Sequence, residues 1–207
     1  MFADRNDAGT QLAEELLERE IDADIVLAIP RGGLPLGRKV ADALHVPLDI
    51  VVARKISAPR NEELALGAVA SDGSVYLDED MVQRSGATDD YLEEQQEIEA
   101  ENAREKRDRY RDGDTGPDLE GKTVVIVDDG VATGSTAIAC LRQVREAGAA
   151  RVILAVPVGP PDTIDDLEDE ADEVICLEQP ELFMAVGQFY DRFDQVSDEE
   201  AMEYLDR

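Results

Sequence analysis

The chain has 207 residues, 43% of them hydrophobic, which is enough for one domain with a full core. Its 49 acidic and 20 basic residues give a formal net charge of −29, which excludes a general electrostatic affinity for nucleic acids or anionic membranes. No apolar run is long enough to cross a bilayer, and Asp4 and Asp7 arrive too early for an export signal, so we expect a cytoplasmic protein.

An amphipathic helix and a buried strand open the chain. Residues 7–20 place leucines between acids at helical spacing, and residues 25–29 are an unbroken apolar run. A turn with one cation and two glycines follows, Arg31, Gly32 and Gly33, before a predicted helix that runs to about residue 44. Glycines let backbone N–H groups approach an anion, and the helix adds its N-terminal dipole. Taken alone, this turn is equally consistent with a tight strand-to-helix connection.

A third strand is predicted over residues 48–53, with Arg54 and Lys55 at its end. The segment of about residues 55–75 begins polar and rich in structure breakers, and it is predicted to contain a flexible loop. Between Arg31 and Arg60 cations outnumber acids, which reverses the sign of an otherwise acidic chain. A substrate with several negative charges needs such a reversal to be captured. The alternative is that Arg54 and Lys55 are ordinary surface cations.

A highly charged helix is predicted from about residue 87 to Arg111, after a short strand over residues 75–77. Its basic residues are interleaved with acids, and pairs such as Glu101 and Arg104 stand at helical neighbour spacing. Interleaved acids argue against a nucleic-acid stripe. We interpret this helix as a solvated one.

The most informative stretch is VVIVDDGVATGSTA, residues 124–137. Its β-branched start predicts a strand buried on both faces, which stops at Asp128 and Asp129 and leads through a small-residue loop into a helix. Unpaired backbone N–H groups at the helix start can hold a phosphate, helped by the hydroxyls of Thr133, Ser135 and Thr136. The two acids would then accept hydrogen bonds from the hydroxyls of the sugar that carries the phosphate.

This order of residues resembles the phosphoribosyl-pyrophosphate (PRPP) binding motif of type I phosphoribosyltransferases. The resemblance implies that Asp128 and Asp129 are catalytic and hold the ribose hydroxyls. It implies a 5′-phosphate site formed by Val131, Ala132, Thr133, Gly134, Ser135 and Thr136. It also implies a pyrophosphate site at Arg31, Gly32 and Gly33 and, by similarity to orotate phosphoribosyltransferases, at Arg54 and Lys55. Mg²⁺ is the implied cofactor, held mainly by PRPP itself.

Two other interpretations of the motif stay open: a doubly wound protein that binds another phosphorylated ligand, and an acid pair that serves Mg²⁺. The sequence has no Walker A lysine and no G-x-G-x-x-G, which weakens nucleotide-triphosphatase and dinucleotide interpretations.

Strands and helices continue to alternate after the motif, which predicts an α/β fold with a doubly wound, mostly parallel sheet in a single domain over residues 1–207. The segment of about residues 178–207 concentrates aromatic residues and resembles the C-terminal hood of purine phosphoribosyltransferases. The resemblance implies that Phe183, Phe189 and Tyr190 receive the acceptor. A satellite core or a dimer contact is the alternative for any one of these aromatics.

The resemblance therefore implies transfer of 5-phosphoribosyl from PRPP to a nitrogen nucleophile, with a nucleobase as the expected small-molecule acceptor and pyrophosphate as the second product. The alternative is a PRPP-binding regulator or sensor without transferase activity. Family resemblance further implies a homodimer. Cys140 and Cys176 are predicted to be free thiols, and the acid-rich, lysine-poor composition resembles that of proteins from organisms with high internal salt.

Overall fold

The computed structural model describes residues 1–111 and 116–205 and, of residues 62 and 63, only the backbone. Within these residues the elements are, in chain order, α1 (Arg5–Glu18), β1 (Ile25–Ala28), α2 (Gly33–Leu44), β2 (Leu48–Ile50), β3 (Ala53–Ala58), β4 (Asn61–Ala70), β5 (Val75–Leu77), α3 (Glu79–Ser85), α4 (Asp89–Arg111), β6 (Thr123–Val127), α5 (Ser135–Glu146), β7 (Arg151–Val158), α6 (Pro161–Glu168), β8 (Glu173–Glu178), a 3-10 helix (Val186–Phe189) and α7 (Asp198–Glu203).

The main sheet has five strands in the order β2-β1-β6-β7-β8, and all four pairings are parallel. Helices cover both faces, as alternate residues of β6 show. Val125 and Val127 belong to the hydrophobic cluster that contains residues of α1 and α2, whereas Val124 and Ile126 belong to the cluster of α5. The predicted α/β class with a mostly parallel sheet is confirmed.

The predicted third strand over residues 48–53 is wrong in extent, because the chain changes sheet in the middle of it. β2 ends at Ile50, the buried pair Val51 and Val52 crosses over, and β3 begins a second, antiparallel sheet. Arg54 and Lys55 therefore lie inside β3 rather than at a strand end. The apolar run continues across both sheets, so hydrophobicity alone carries no boundary signal here.

The segment of about residues 55–75, predicted to contain a flexible loop, is built largely into the antiparallel sheet β3-β4-β5. Ile56, Leu66 and Val69 from this sheet pack with Leu92 and Ala100 of α4 in a hydrophobic cluster of their own. The predicted strand over residues 75–77 is confirmed as β5. This small sheet holds Arg54 and Lys55 beside the ends of the main strands.

The C-terminal segment folds back over the start of the chain. Phe2 and Tyr190 form a parallel bridge, and their rings lie 5.4 Å apart. Val196 and Ala201 pack with Tyr110 of α4 in one cluster. Residues 206 and 207 of the predicted hood lie outside the described residues. None of the helices in the described ranges is both long and apolar enough to span a membrane.

Candidate active site

A cavity of about 810 Å³ opens at the carboxyl ends of β1 and β6. It brings together groups that the sequence predicted separately: Asp128, the loop of residues 130–137, and the cations of β3. Its lining includes Pro30, Arg54, Lys55, Asp128, Val131, Ala132, Thr133, Gly134, Ser135 and Thr136. Parallel α/β sheets bind ligands at this edge.

The predicted phosphate loop turns at Gly134 and leads directly into the N-terminus of α5. Gly134 has φ +74°, a left-handed conformation that glycine adopts without strain, and α5 starts at the next residue. The backbone N–H of Ile138 bonds to the Gly134 carbonyl at 2.9 Å, so the N–H groups before it have no partner within the helix. Thr133 Oγ1 and Ser135 Oγ lie 3.4 Å apart on the same side. This geometry suits a bound phosphate dianion.

The two acids after β6 are partly buried and differ in their partners. Asp128 Oδ1 accepts a hydrogen bond of 2.8 Å from the backbone N–H of Asp129, while Asp129 Oδ2 accepts one of 2.7 Å from Arg5 Nε. Burial raises the pKa of the Asp128 carboxyl well above its usual range, and the charge of Asp129 adds to this shift. Burial also raises the pKa of Asp129, against the opposing effect of Arg5. A sugar hydroxyl or a nearby cation would therefore stabilise the Asp128 carboxylate.

Arg5, the first residue of α1, is a site residue that the sequence did not indicate. Besides its bond to Asp129, its guanidinium donates to the Asp194 carbonyl at 2.6 Å and lies 3.8 Å from the centre of the Phe193 ring. Arg5 thus joins the acid pair to the C-terminal segment. Its position before an ordinary amphipathic helix gave no signal, because its partner stands 124 residues away.

The turn at Arg31, Gly32 and Gly33 packs directly against the acid pair. A Cβ atom on Gly32 would overlap the Asp129 carboxylate, and one on Gly33 would overlap the carbonyl of Val127. The Pro30–Arg31 peptide bond is cis. Arg31 does not line the 810 Å³ cavity; it lines two neighbouring cavities of about 360 and 340 Å³. The 360 Å³ cavity shares Arg54 with the 810 Å³ cavity, so the cavities follow one another along the same edge.

Lys106 of α4 is a second site residue that the sequence missed, and it corrects the interpretation of α4 as only a solvated helix. Its ammonium donates to the Pro30 carbonyl at 2.8 Å. Burial lowers the pKa of Lys106, and the charges of Arg54 and Arg31 lower it further. Because α4 carries charges on several faces, the sequence has no stripe that would single out this lysine.

The hood aromatics are arranged differently from the expectation. Phe183 and Phe189 stack on each other with ring centres 5.2 Å apart. Tyr190 is buried, and its hydroxyl donates to the Asp129 carbonyl at 2.6 Å. The 340 Å³ cavity beside Asp129 is lined instead by the apolar side chains of Val186, Phe193 and Val196, together with Arg5, Arg31, Gly32, Asp129 and Gln195. Tyr190 therefore holds the backbone of the acid pair through its hydroxyl. The apolar wall of this cavity is formed by other residues of the hood.

The acid pair is compatible with a divalent cation but does not form a metal cage. Over residues 1–111 and 116–205 there is no group of three or more His, Cys, Asp or Glu side chains that could hold a metal ion. Asp129 is paired with Arg5. The ionised form of Asp128 is disfavoured by burial and by repulsion from Asp129. Mg²⁺ typically binds one or two carboxylates together with substrate phosphates, and such a ligand set fits this edge.

Substitution of Arg5 by methionine is expected to lower the free energy of unfolding by about 1–3 kcal/mol, because it leaves the Asp129 carboxylate buried without its partner. Adding Asp129→Asn should restore most of that loss, since the unpaired charge is then removed. Urea unfolding of the four proteins in this cycle measures the coupling.

Arg192→Met is the matched control, because Arg192 pairs with Asp4 but its side chain is 69% exposed. This substitution should cost on the order of 0.5 kcal/mol or less. Equal losses of unfolding free energy for Arg5→Met and Arg192→Met would show that the Arg5 pair contributes no more to stability than an exposed ion pair.

The matching family model and the similar sequences are all described as phosphoribosyl transferases. A family model described as a phosphoribosyl transferase domain matches residues 4–193. A Mycobacterium tuberculosis protein named as a candidate phosphoribosyl transferase is 45% identical over 210 residues, covering 100% of this chain and 47% of that protein. The chain therefore spans about half the length of this relative. An amidophosphoribosyltransferase of Rhizobium etli is 26% identical over 156 residues, or 75% of this chain and 24% of that enzyme. The solved structure of TT1426 from Thermus thermophilus is 40% identical, with a TM-score of 0.82 over 99% of this chain and 97% of that one.

Proposed function

The chain belongs to the phosphoribosyl transferase domain family, and from that premise we propose that it transfers 5-phosphoribosyl from Mg²⁺-bound PRPP to a nitrogen nucleophile, releasing pyrophosphate. The observation that carries this proposal is the common edge of the phosphate loop, the acid pair and the cationic turn. Such an edge can contact both phosphate ends of one sugar phosphate and its hydroxyls between them. PRPP has this arrangement of groups.

In this proposal each group of the chain has one task. The N–H groups at the start of α5 and the hydroxyls of Thr133 and Ser135 bind the 5′-phosphate. Asp128 and the Oδ1 atom of Asp129 accept hydrogen bonds from the ribose hydroxyls, while Arg5 holds Oδ2. Family resemblance implies an oxocarbenium-like transition state, and the adjacent carboxylates favour positive charge on the ribose.

Bound Mg²⁺ would neutralise charge on the pyrophosphate and on the sugar oxygens near Asp128 and Asp129. The chain itself contributes positioning: it fixes the donor at three points, so that the nucleophile meets C1 in an aligned geometry. The segment of residues 57–66, whose first three residues line the 810 Å³ cavity, is further proposed to exclude water by closing over the donor, since water competes with the acceptor.

The 340 Å³ cavity beside Asp129 supports a planar acceptor. Phe193 and Val186 supply apolar surface, and the Arg5 guanidinium lies 3.8 Å from the centre of the Phe193 ring. A nitrogen heterocycle can use such a surface by stacking, as aromatic pairs do. We therefore propose a nucleobase as the acceptor. A homodimer, a cytoplasmic location and a high-salt source stay predictions.

Pyrophosphate release tests the proposal. We expect release when the protein is incubated at high salt with PRPP, Mg²⁺ and one member of a panel of nucleobases and amines, and no release when the acceptor or Mg²⁺ is omitted. Mass spectrometry should then show the matching 5′-phosphoribosyl product.

The same experiment addresses the alternative of a PRPP-binding regulator. Tight PRPP binding by calorimetry without turnover on any acceptor would favour the regulator. Failure to bind PRPP at all would contradict both functions. The family match favours the transferase, and the strongly acidic composition disfavours a regulator that contacts nucleic acid.

A further inference from the structure

Four cations from three different elements converge on the cavity of about 360 Å³ between the Arg31 turn and α4. Its lining consists of Arg31, Arg54, Asn102, Glu105, Lys106, Arg109 and Asp198. Four positive side chains thus face two negative ones, in a chain with a formal net charge of −29. Cations gathered at one cavity repel one another and attract an anion, so this lining favours a ligand of opposite charge.

Three of the four cations that line this cavity already form ion pairs with acidic side chains. Asp198 of α7 contacts Arg31 at 3.5 Å and Arg109 at 3.1 Å, and Arg54 pairs with Glu99 at 3.1 Å. Lys106 is different, because its hydrogen bond goes to the neutral carbonyl of Pro30. The half-buried ammonium therefore lies next to the turn, and within the described residues no carboxylate is in hydrogen-bond contact with it.

We propose that Lys106 binds the pyrophosphate group of the phosphoribosyl donor, so that α4 completes the pyrophosphate site formed by the Arg31 turn and Arg54. This inference rests on the proposed transferase function, and it adds to it a diphosphate-binding residue from a helix outside the main sheet. The cavity is large enough for a diphosphate, and its shared Arg54 joins it to the cavity of the phosphate loop.

Proton uptake distinguishes such a binding role from a merely structural one. The charged groups around Lys106 are Arg31 of the turn, Arg54 of β3, Asp128 after β6 and Asp198 of α7. Burial and the two arginines lower the pKa of free Lys106, and a bound diphosphate would raise it. Between these two pKa values binding takes up a proton, so affinity falls as pH rises through the pKa of the free protein.

Calorimetry of inorganic pyrophosphate with Mg²⁺, on the full chain, tests the inference. Lys106→Met should weaken binding about ten- to a hundredfold, the loss typical of a hydrogen bond to a charged group. Lys106→Arg should keep most of the affinity but lose the proton uptake that the native protein shows as pH rises through the pKa of free Lys106, measured at each pH in two buffers of different ionisation enthalpy. The titration of pyrophosphate itself is common to both proteins and cancels in the comparison. Arg107→Met is the control, because Arg107 pairs with Asp108 of the same helix and does not line the cavity.

The outcomes separate the inference from its premise. Native affinity in Lys106→Met, or native proton uptake in Lys106→Arg, would overturn the role of Lys106 while leaving the transferase intact. A native protein that binds neither pyrophosphate nor PRPP would overturn the proposed function and this inference with it. If Lys106→Met does not fold, as shown by thermal unfolding, the proton uptake of Lys106→Arg decides.

Discussion

Replacing Asp128 and Asp129 together with asparagine is expected to abolish measurable PRPP binding in the presence of Mg²⁺. Each carboxylate is proposed to accept a charge-assisted hydrogen bond from a ribose hydroxyl, and such bonds contribute about 1.5–3 kcal/mol each. Losing two of them costs about 3–6 kcal/mol, which is a factor of roughly 10² to 10⁴ in the dissociation constant. The loss of negative charge also weakens attraction for the Mg²⁺ that accompanies the donor. Calorimetry with PRPP and Mg²⁺ measures the effect.

A neighbouring acid pair supplies the control for this variant. Asp165 and Asp166 of α6 are adjacent and exposed, so Asp165→Asn with Asp166→Asn removes the same charge without touching the 810 Å³ cavity. The control should bind PRPP with native affinity. Unchanged affinity in the Asp128 and Asp129 variant would refute the assignment of the acid pair.

The pH dependence of stability tests the raised pKa of the Asp128 carboxyl separately from ligand binding. Because burial and repulsion raise the pKa of Asp128, the folded protein binds more protons than the unfolded chain between the usual pKa near 3.9 and the raised value. Stability from this group therefore falls as pH rises through that window. Asp128→Asn should be more stable than the native protein at pH 8, and the difference should close towards pH 4. Urea unfolding at both pH values measures it.

The parts of the site that are contiguous in sequence could be predicted, since strand, loop and helix signals of residues 124–137 follow one another without a gap. β6, the loop and α5 fold as that pattern indicates. The turn at Gly32 lies beside the same edge, against the Asp129 carboxylate. Local backbone chemistry determines these features: β-branched residues favour a buried strand, and glycine permits the conformation that the loop needs.

The long-range contacts of the site could not be predicted in the same way. Arg5 reaches Asp129 across 124 positions, and Lys106 reaches Pro30 across 76. Neither residue belongs to a spacing pattern, because each contact depends on how separate elements pack. The orientation of the hood has the same cause: the sequence showed where aromatic residues cluster, but tertiary packing decided that Phe193 faces the cavity while Tyr190 supports Asp129.

Gly32→Ala adds only a methyl group, yet we expect it to cause a large loss of PRPP affinity. A Cβ atom at residue 32 would overlap the Asp129 carboxylate. That carboxylate cannot move aside freely, since Arg5 holds it at 2.7 Å and Arg5 is itself packed on Phe193. Either the acid or the turn must shift, and both are proposed to contact PRPP. Losing one charge-assisted hydrogen bond to the ribose costs about 1.5–3 kcal/mol, so we expect PRPP affinity to fall by a factor of roughly 10 to 10².

Gly37→Ala separates this effect from general overpacking. Gly37 lies in α2, the helix that follows the turn, and its added Cβ would meet the Ala28 side chain at 2.9 Å and Leu48 at 3.1 Å, in the core rather than in the site. Both variants should lose about 1–3 kcal/mol of stability. Only Gly32→Ala should lose PRPP affinity, as measured by calorimetry beside thermal unfolding. If the two variants bound PRPP equally well, the Arg31 turn would not position Asp129 for the donor, because overlap at residue 32 must disturb that contact if it exists.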